Sequence, residues 1–456
     1  MSVTETRAAQ SLAAIFAFRM LGLFMILPVF ALYAQDLAGV TPLRIGIAIG
    51  IYGLTQGLLQ IPFGMLSDRY GRKPLLYLGM IIFAIGSLIA GSSDSIEGVI
   101  IGRAVQGAGA VAAVIMALLA DLTSEEHRTR AMAFIGISIG FSFIGAMALG
   151  PLLSSYIGVN GLFYFTALLA LVGMATIYFI VPNPAVSRFH RDTALTPQLL
   201  APVLANSQLL RLNLGIMILH MVLTATFVVI PLQLRDMGLA AADHGYFYLP
   251  VMLVGMLLMV PLVIIAESKR QMKPVFVGAI LLLLLAVLGI NLLAHSLWIM
   301  GVMLALYFTA FNLLEATLPS LVSKYTPVTS KGTAMGVYTS SQFLGAFLGG
   351  AMGGYLHGAF DSAMVLYAAA GLLLLWALAA LTMESPRYLL PRLLNVGALT
   401  PEAEHHLFSL LGAVKGVVDV DINREEGIAY LKVDSKHLDE AALLQYSRNQ
   451  PSITTL

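Results

Sequence analysis

The chain contains no cysteine and has little charge for its length. The absence of cysteine from 456 residues excludes disulfide bonds, zinc–thiolate sites and iron–sulfur clusters. Charged residues make up only 11%, whereas a soluble globular domain is about one quarter charged. The net charge of +1 gives no electrostatic basis for a nucleic-acid partner. Hydrophobic residues make up 59% and the mean hydropathy is +0.87, so we expect the chain to fold within a lipid bilayer.

Long apolar runs fill the first 382 residues. A membrane-spanning helix needs about 20 mostly apolar residues. Twelve runs of this kind are present: 11–34, 44–67, 74–92, 96–120, 130–155, 161–181, 211–234, 243–266, 274–293, 297–323, 332–358 and 362–382. The first run contains Arg19 and no small-residue cleavage site follows it, so we expect it to be a retained span rather than a signal peptide. The sequence therefore predicts an all-α polytopic membrane protein with twelve transmembrane helices.

The basic residues between the runs predict the orientation of the chain. With the N-terminus in the cytoplasm, almost all lysines and arginines of the connections lie on the cytoplasmic side. Only Arg44 and Arg235 fall in connections on the opposite side. Because positive charge is retained on the cytoplasmic side, both termini are expected there, which fits an even number of spans.

The runs divide into two similar halves. The longest internal connection, 182–210, separates an N-terminal half (1–181) from a C-terminal half (211–382). Short stretches recur between the halves, such as "RKPLL" around Pro74 and "MKPVF" around Pro274. Tandem six-helix halves are typical of transporters, which bind substrate between the halves near the middle of the membrane.

The composition changes after residue 383. Residues 383–392 form a predicted linker, and 393–456 have the pattern of a small soluble domain in the order strand–helix–strand–strand–helix. This order predicts a ferredoxin-like α+β domain with an incomplete last strand. It also resembles heavy-metal-associated domains, but the loop "ALTPEAEHH" lacks the cysteines that bind metal in them. The adjacent His405 and His406 point to different helix faces, so we expect no metal and no cofactor.

The most charged stretch of the membrane region, "GMLSDRYGRK", lies between the second and third runs. It resembles the pattern G-x-L-a-D-r-x-G-r-k of the major facilitator superfamily, in the loop where that family carries it. The resemblance extends over about residues 10–385, and the matching residues of the motif are Gly64, Leu66, Asp68, Arg69, Gly71, Arg72 and Lys73.

The resemblance implies that this motif is a conformational latch. Asp68 is expected to cap the positive N-terminus of the eleventh helix near Gly332. Arg72 would then hold Asp68 and a second acid, for which Asp121 at the end of the fourth run is the candidate. The alternative is that the basic residues only anchor the topology. The second half has a degenerate copy, "AESKRQMKP", in which Gln271 replaces a glycine.

Two further stretches resemble the proton-coupled drug-efflux branch of the superfamily. "GRAVQGAGA" in the fourth run matches its R-x-x-Q-G pattern through Arg103, Gln106 and Gly107. The fifth run resembles its glycine-rich antiporter signature, although Leu152 and Leu153 stand where another glycine is expected. Small residues also permit ordinary close helix packing. The residues expected to pack in this way are Gly136, Gly140, Gly145, Gly150 and Pro151.

A few ionisable and polar side chains lie inside the runs, where they are costly and usually face a cavity or a partner. Glu315 is the only acid deep in any run and is the leading candidate for a proton carrier. The alternative is a salt bridge from Glu315 to Arg19 or another cation. The other candidates for proton or substrate coupling, each of which is also compatible with a structural hydrogen bond or tie, are Arg19, Arg103, Gln106, His220, Asn312 and Gln342.

Together these features predict a transmembrane transporter of small molecules, and no run holds a nucleophile–base pair typical of an enzyme. The resemblance implies a proton-coupled antiporter that exports small amphipathic or hydrophobic compounds by alternating access. Proton-coupled uptake of a small polar solute and a transporter-derived sensor are the alternatives. A twelve-span chain with such a tail resembles the YajR group of bacterial inner-membrane transporters. Residues 393–456 are then expected to be regulatory or to mediate self-association.

Overall fold

The computed structural model describes residues 1–183, 199–327, 330–386, 390–397, 399–424, 427–434 and 437–447. This part of the chain is mostly helical, with one small β-sheet near its C-terminal end. Most of the predicted central loop, 184–198, lies outside the described residues. The helices and strands are α1 (Val3–Phe24), α2 (Leu27–Tyr33), α3 (Pro42–Tyr70), α4 (Arg72–Gly91), α5 (Ile96–Ala108), α6 (Ala112–Leu122), α7 (Glu125–Phe179), α8 (Leu200–Ala205), α9 (Ser207–Asp236), α10 (His244–Ser268), α11 (Met272–Leu293), α12 (Leu297–Tyr325), α13 (Lys331–Ala359), α14 (Ser362–Leu381), β1 (Leu390–Asn395), α15 (Pro401–Ala413), β2 (Val417–Asn423), β3 (Ile428–Val433) and α16 (Glu440–Leu444).

The helices confirm the predicted polytopic membrane fold. Ten helical segments of the described chain are long and apolar enough to cross a bilayer. One of them, Arg130–Phe179, contains both the fifth and the sixth predicted runs. Helix α13 corresponds to the eleventh run and is less apolar, because it is rich in glycine, serine and threonine. The ten segments and α13 together therefore account for all twelve runs.

Four of the predicted runs depart from a single straight helix. The first run breaks into α1 and α2 just before Pro28, which lies in the first turn of α2, where its missing N–H leaves no helical hydrogen bond unmade. The fourth breaks into α5 and α6 around Gly109. The fifth and sixth runs join without an intervening loop, and only Gly158, with φ 70° and ψ 173°, leaves the helical conformation there. A hydrophobicity pattern does not register such local changes, so the breaks were not predicted.

We call the face that holds Met1 and the C-terminal domain the tail side, and the opposite face the far side. On the tail side the two halves repeat one contact. The Nζ of Lys73 donates to the carbonyl of Val181 at 2.7 Å, just beyond the end of α7. The Nζ of Lys273 donates to the carbonyl of Met383 at 2.5 Å, just beyond the end of α14. Each lysine satisfies a carbonyl that follows a helix end, so the internal repeat extends to this contact.

The halves meet most closely where α3 packs against α13 toward the far side. A Cβ at Gly46 would lie 2.0 Å from the carbonyl oxygen of Gly350, so the two backbones are in direct contact. Nearer the middle of the helices, the hydroxyl of Ser340 donates to the carbonyl of Gly57 at 3.2 Å. This packing depends on a row of small residues on α3, which are Gly46, Gly50, Gly53 and Gly57.

Toward the tail side this close packing between the halves ends. Beyond Gly57, helix α3 turns to its own half, and a Cβ at Gly64 would make only an ordinary contact with Ala113 at 3.6 Å. The expected helix contacts of Gly136 and Gly140 are wrong for this conformation, because both glycines are exposed and a Cβ on either would meet no atom within 4 Å. The structure is therefore closed on the far side and parted on the tail side.

Only the last part of the glycine-rich signature packs tightly. A Cβ at Gly145 would make an ordinary contact with Leu21 at 3.6 Å, whereas one at Gly150 would lie 2.5 Å from the carbonyl oxygen of Met25. The next residue, Pro151, lies inside α7 and is buried. The tight contact of this signature is therefore with the break between α1 and α2.

The C-terminal domain has the predicted ferredoxin-like arrangement. Its strands lie in the order β1-β3-β2, with β3 antiparallel to both neighbours. Helix α15 connects β1 to β2, which are parallel and have β3 between them, and this is the split βαβ arrangement. The first strand begins at Leu390, inside the stretch predicted as a linker. The residues after 447, where a last strand was considered, lie outside the described residues.

We predict that Gly46→Leu will open the far side. A leucine cannot fit between α3 and α13, so the helices must separate, and the conformation that is closed on the far side loses stability. The measurement is the distance between nitroxide labels on cysteines introduced at the exposed far-side residues Asp36 and Asp236, by double electron–electron resonance. Gly278→Leu is the matched control, because a Cβ there would meet no atom within 4 Å. An unchanged distance distribution in Gly46→Leu would contradict the packing described here.

Candidate functional site

The charged motif forms a compact ion cluster on the tail side. Gly71 separates α3 from α4 with φ 94°, a conformation that favours glycine, and thereby lets Arg72 turn back over α3. Arg72 is buried and pairs with Asp68. Its Nε lies 3.1 Å from Asp121, whose side chain is fully buried at the end of α6. Arg72 also donates to the hydroxyl of Ser67 at 2.6 Å. The structure thus brings together Asp68, Arg72 and Asp121, the three residues of the latch that are expected to pair.

The other basic residues of the motif are not part of this cluster. Arg69 is exposed, and its guanidinium lies 5.4 Å from the centre of the Tyr70 ring. Lys73 binds the carbonyl beyond the end of α7. In this conformation the described ion pair of Asp68 is with Arg72 of its own half, rather than a cap on the start of α13. The parted tail side accounts for this difference, because a cap between halves requires the two helix ends to meet.

The second half carries a different ion pair at the corresponding place. Glu267, near the end of α10, lies 2.8 Å from the Nζ of Lys324 on α12. Ser320 donates to the same carboxylate at 2.9 Å. Helices α10 and α12 are the counterparts of α3 and α6, so a base, Lys324, stands on the helix that carries the acid Asp121 in the first half, and the second motif differs in its ion pair as well as in its sequence.

Two buried arginines lie inside the first half. Arg19 on α1 is only 1% exposed and donates to the hydroxyl of Tyr52 at 2.8 Å and to Gln56, both on α3. Arg103 on α5 lies with its guanidinium 5.2 Å from the centre of the same Tyr52 ring. Arg103 is held by the carbonyls of α3 residues Ala48 and Ile49, both at 3.3 Å.

Gln106, which follows Arg103 in the R-x-x-Q-G pattern, extends the contacts of Arg103 to α4. Gln106 accepts from Arg103 at 3.1 Å and donates to Ser87 of α4 at 2.7 Å. Gly107 packs against α3, since a Cβ there would lie 2.2 Å from the carbonyl oxygen of Tyr52. The R-x-x-Q-G residues therefore tie α5 to α3 and α4 within one half.

A second polar cluster lies inside the second half. Glu315 on α12 has 30% of its side chain accessible and lies 3.1 Å from the Nε2 of His220 on α9. Gln342 on α13 places its amide nitrogen 3.0 Å from that same imidazole nitrogen and 3.4 Å from Glu315. Asn312 is half-buried one turn before Glu315. The salt bridge considered between Glu315 and Arg19 is absent from the described contacts, because each has partners in its own half.

Glu315 and His220 are positioned so that they can share a proton. The Nδ1 of His220 lies 3.3 Å from the carbonyl of Ile216, so this nitrogen carries the hydrogen. The unprotonated Nε2 can accept from the amide of Gln342 beside a carboxylate at Glu315. With one proton more, the Nε2 bonds to Glu315 in one of two ways: it accepts from a neutral carboxyl group, or it donates to a carboxylate. Both forms hold one more proton than a neutral histidine beside a carboxylate. The pair can therefore bind and release a proton.

Helix α13 lies between the two clusters. Gln342 belongs to the cluster of the second half, and the next residue, Phe343, packs with its ring centre 6.5 Å from that of Tyr52. A Cβ at Gly53 would also lie 2.5 Å from the carbonyl oxygen of Phe343. Phe343 and Tyr52 were not singled out from the sequence. The row of glycines on α3 was the available signal, because it marks where a neighbouring helix must approach.

Comparisons with known proteins agree with this architecture. A model of the Major Facilitator Superfamily matches residues 12–350. The chain belongs to the major facilitator superfamily. It is 47% identical to the inner membrane transport protein YajR of Escherichia coli, with 96% of each chain covered. It is 27% identical over 183 residues to the class B tetracycline resistance protein of E. coli, which covers 38% of this chain and 44% of that protein.

The fold is also found among solved structures. The human organic anion transporter MFSD10 matches with a TM-score of 0.59 and 20% identity, covering 83% of this chain and all of that one. A likeness at this identity concerns the fold alone. With the family established, the protein is a multi-pass membrane transporter of this superfamily.

We predict that Asp68→Asn will reduce transport at least about tenfold without impairing insertion into the membrane. An asparagine side chain caps a helix almost as well as aspartate but cannot form the ion pair with Arg72. The measurement is transport per inserted molecule in inside-out vesicles, for the first substrate found with a pH-sensitive dye. Asp36→Asn, an exposed acid on the far side, is the control. Near-normal transport by Asp68→Asn would contradict a role for the charge in the latch.

Proposed function

We propose that this protein is a proton-coupled antiporter that exports small amphipathic or hydrophobic compounds. The observation that carries the proposal is the pair of Glu315 and His220, which lie 3.1 Å apart where the parted halves leave Glu315 partly accessible, and which we infer to hold one exchangeable proton. The name of a tetracycline resistance relative supports export, since resistance by a transporter requires removal of the compound from the cell.

Alternating access couples the two fluxes without any covalent chemistry. When the pair faces water on one side, the proton can leave and substrate can enter. When the halves close over the pair, the carboxylate must be neutralised, either by the proton or by a polar group of the substrate. Competition between the proton and the substrate for this one site is sufficient for antiport.

Aromatic side chains from both halves pack beside Glu315 and His220. Phe311 lies on α12 one turn before Glu315, and its ring centre is 5.9 Å from that of His220. It also lies 6.0 Å from Phe143 on α7, which in turn packs edge-on against Phe24 of α1 at 4.8 Å. Phe311 and Phe143 are buried in this conformation and Phe24 is partly exposed. An aromatic cluster from both halves next to one ionisable pair supports binding of amphipathic compounds.

The proposed location is a bacterial inner membrane with both termini in the cytoplasm. The distribution of basic residues in the connections supports this orientation, since positive charge is retained on the cytoplasmic side. A small-molecule substrate, protons and the bilayer are then its partners.

We predict that Glu315→Gln will abolish proton-driven transport and retain substrate binding. Glutamine resembles the protonated carboxyl group but exchanges no proton, so binding should become much less sensitive to pH. The measurement is accumulation of substrate in inside-out vesicles under an imposed pH gradient, together with binding to the purified protein across pH. Glu97→Gln, in an exposed ion pair on the far side, is the matched control. Accumulation against a gradient by Glu315→Gln would show that another residue carries the proton.

The orientation is tested separately, because the chain contains no cysteine. We predict that Lys415→Cys, in the C-terminal domain, will react with a membrane-impermeant maleimide in inside-out vesicles and be protected in cells with an intact inner membrane and a permeabilised outer membrane. Asp94→Cys, on the far side, should show the reverse pattern. Labelling of Lys415→Cys in those cells would place the tail side outside the cytoplasm and contradict the proposed direction.

A further inference from the structure

A lysine of the C-terminal domain contacts the membrane body. Lys432 lies on the central strand β3, and its Nζ donates to the carbonyl of Thr326 and to that of Ser323 at 3.3 Å. Ser323 lies in the last turn of α12, and Thr326 is the residue that caps this helix. The last carbonyls of a helix have no partner within it and carry partial negative charge, so a lysine is well suited to cap them.

The surroundings of Lys432 show that its ammonium is held at this contact rather than free in water. The side chain is partly buried, and burial lowers the pKa of the amine below its usual value. Asp419, its partner across β2, acts in the opposite direction, whereas nearby Lys331 at the start of α13 lowers the pKa further. The domain therefore lies beside the connection between α12 and α13.

The helix that the domain caps is the helix that carries Glu315. Eleven residues separate Glu315 from Thr326, or about 16 Å along a helix. The same end of α12 is anchored within the body, where Lys324 pairs with Glu267 and the hydroxyl of Tyr325 donates to the carbonyl of Glu384. The contact of Lys432 adds the domain to the anchors that hold this end of α12.

The start of α13 is also the expected partner of Asp68 when the tail side closes. In the present conformation Asp68 pairs with Arg72 instead, and the domain lies next to Lys331. Closing the tail side must bring the ends of α12 and α13 toward α3. Loss of the Lys432 contact on closing would therefore favour the parted conformation.

We propose that the C-terminal domain is a brake on alternating access, which it applies by capping α12 with Lys432 and so favouring the conformation that is parted on the tail side. The inference requires two conformations of the body. It does not depend on the identity of the transported compound or on the proton pair, so its failure would leave the proposed antiport untouched.

The first test measures the balance of conformations in the full chain. Nitroxide labels on Tyr70→Cys at the end of α3 and Lys269→Cys after α10 report the opening of the tail side by double electron–electron resonance; both residues are exposed. Lys432→Met removes the donors but keeps an unbranched side chain. We expect it to shift the ratio of closed to parted molecules about three- to tenfold toward closed, the effect of losing one charged hydrogen-bonding group.

Two control variants separate the cap from other effects of substitution. Lys432→Arg keeps the charge and the donors and should retain the distribution of the unmodified protein. Lys415→Met removes an exposed lysine from the same domain and should also leave it unchanged. A distribution that is the same in Lys432→Met and Lys415→Met would overturn the proposal.

The second test applies the brake permanently and remains informative if Lys432→Met unfolds the domain. Cysteines introduced as Ser323→Cys and Lys432→Cys are joined by a short reducible bis-methanethiosulfonate linker. The closing of the tail side is then measured with a fluorescence donor–acceptor pair, which is attached at positions 70 and 269 through a non-canonical amino acid. The linked protein should stay parted, and reduction should restore closure. Closure at the same rate before and after reduction would overturn the brake.

Discussion

A polar side chain among lipid tails must find its partner inside the protein, and this constraint organises the membrane body. The arginines, Glu315 and His220 that lie buried in the described spans are accordingly parts of clusters. Arg72 sits between two acids at the tail-side end of the first half. Arg19 is bound to polar groups of α3, and Glu315 is paired with His220 in the second half. Each cluster joins helices that are distant in sequence, so the pairing of charges also fixes which helices pack together.

The two halves satisfy this constraint with different chemistry, although they share one architecture. The first half buries arginines against carbonyls and a tyrosine ring, and arginine does not lose its proton in such a site. The second half buries an acid beside a histidine, the arrangement on which the proposed proton exchange rests. Helix α13 contacts both, through Phe343 on one side and Gln342 on the other. A change of protonation in the second half is therefore adjacent to the surface along which the halves move.

The sequence was sufficient to predict the architecture, because the length of each hydrophobic run and the repeat of motifs determine how many helices cross the bilayer. It also identified Asp68, Arg72 and Asp121, since a charged motif has few ways of being satisfied near the membrane. It did not predict the break at Gly109 or the start of β1 at Leu390, which depend on local backbone geometry. It misassigned Gly136 and Gly140, because a glycine-rich pattern does not specify in which conformation the glycines make contact. The partners of Arg19 and Glu315 could be identified only from the tertiary structure, since several polar residues of the sequence were equally suitable partners.

The central claim is that Glu315 and His220 hold one exchangeable proton. Infrared difference spectroscopy of the purified protein between acidic and alkaline pH tests it most directly, because a protonated carboxyl group absorbs apart from carboxylates and amides, and imidazole ring modes report the charge of histidine. The account predicts that one carboxyl or imidazolium signal titrates, that Glu315→Gln or His220→Asn alters it, and that binding of a transported compound shifts its titration. A spectrum in which neither substitution changes any titrating band would contradict the account.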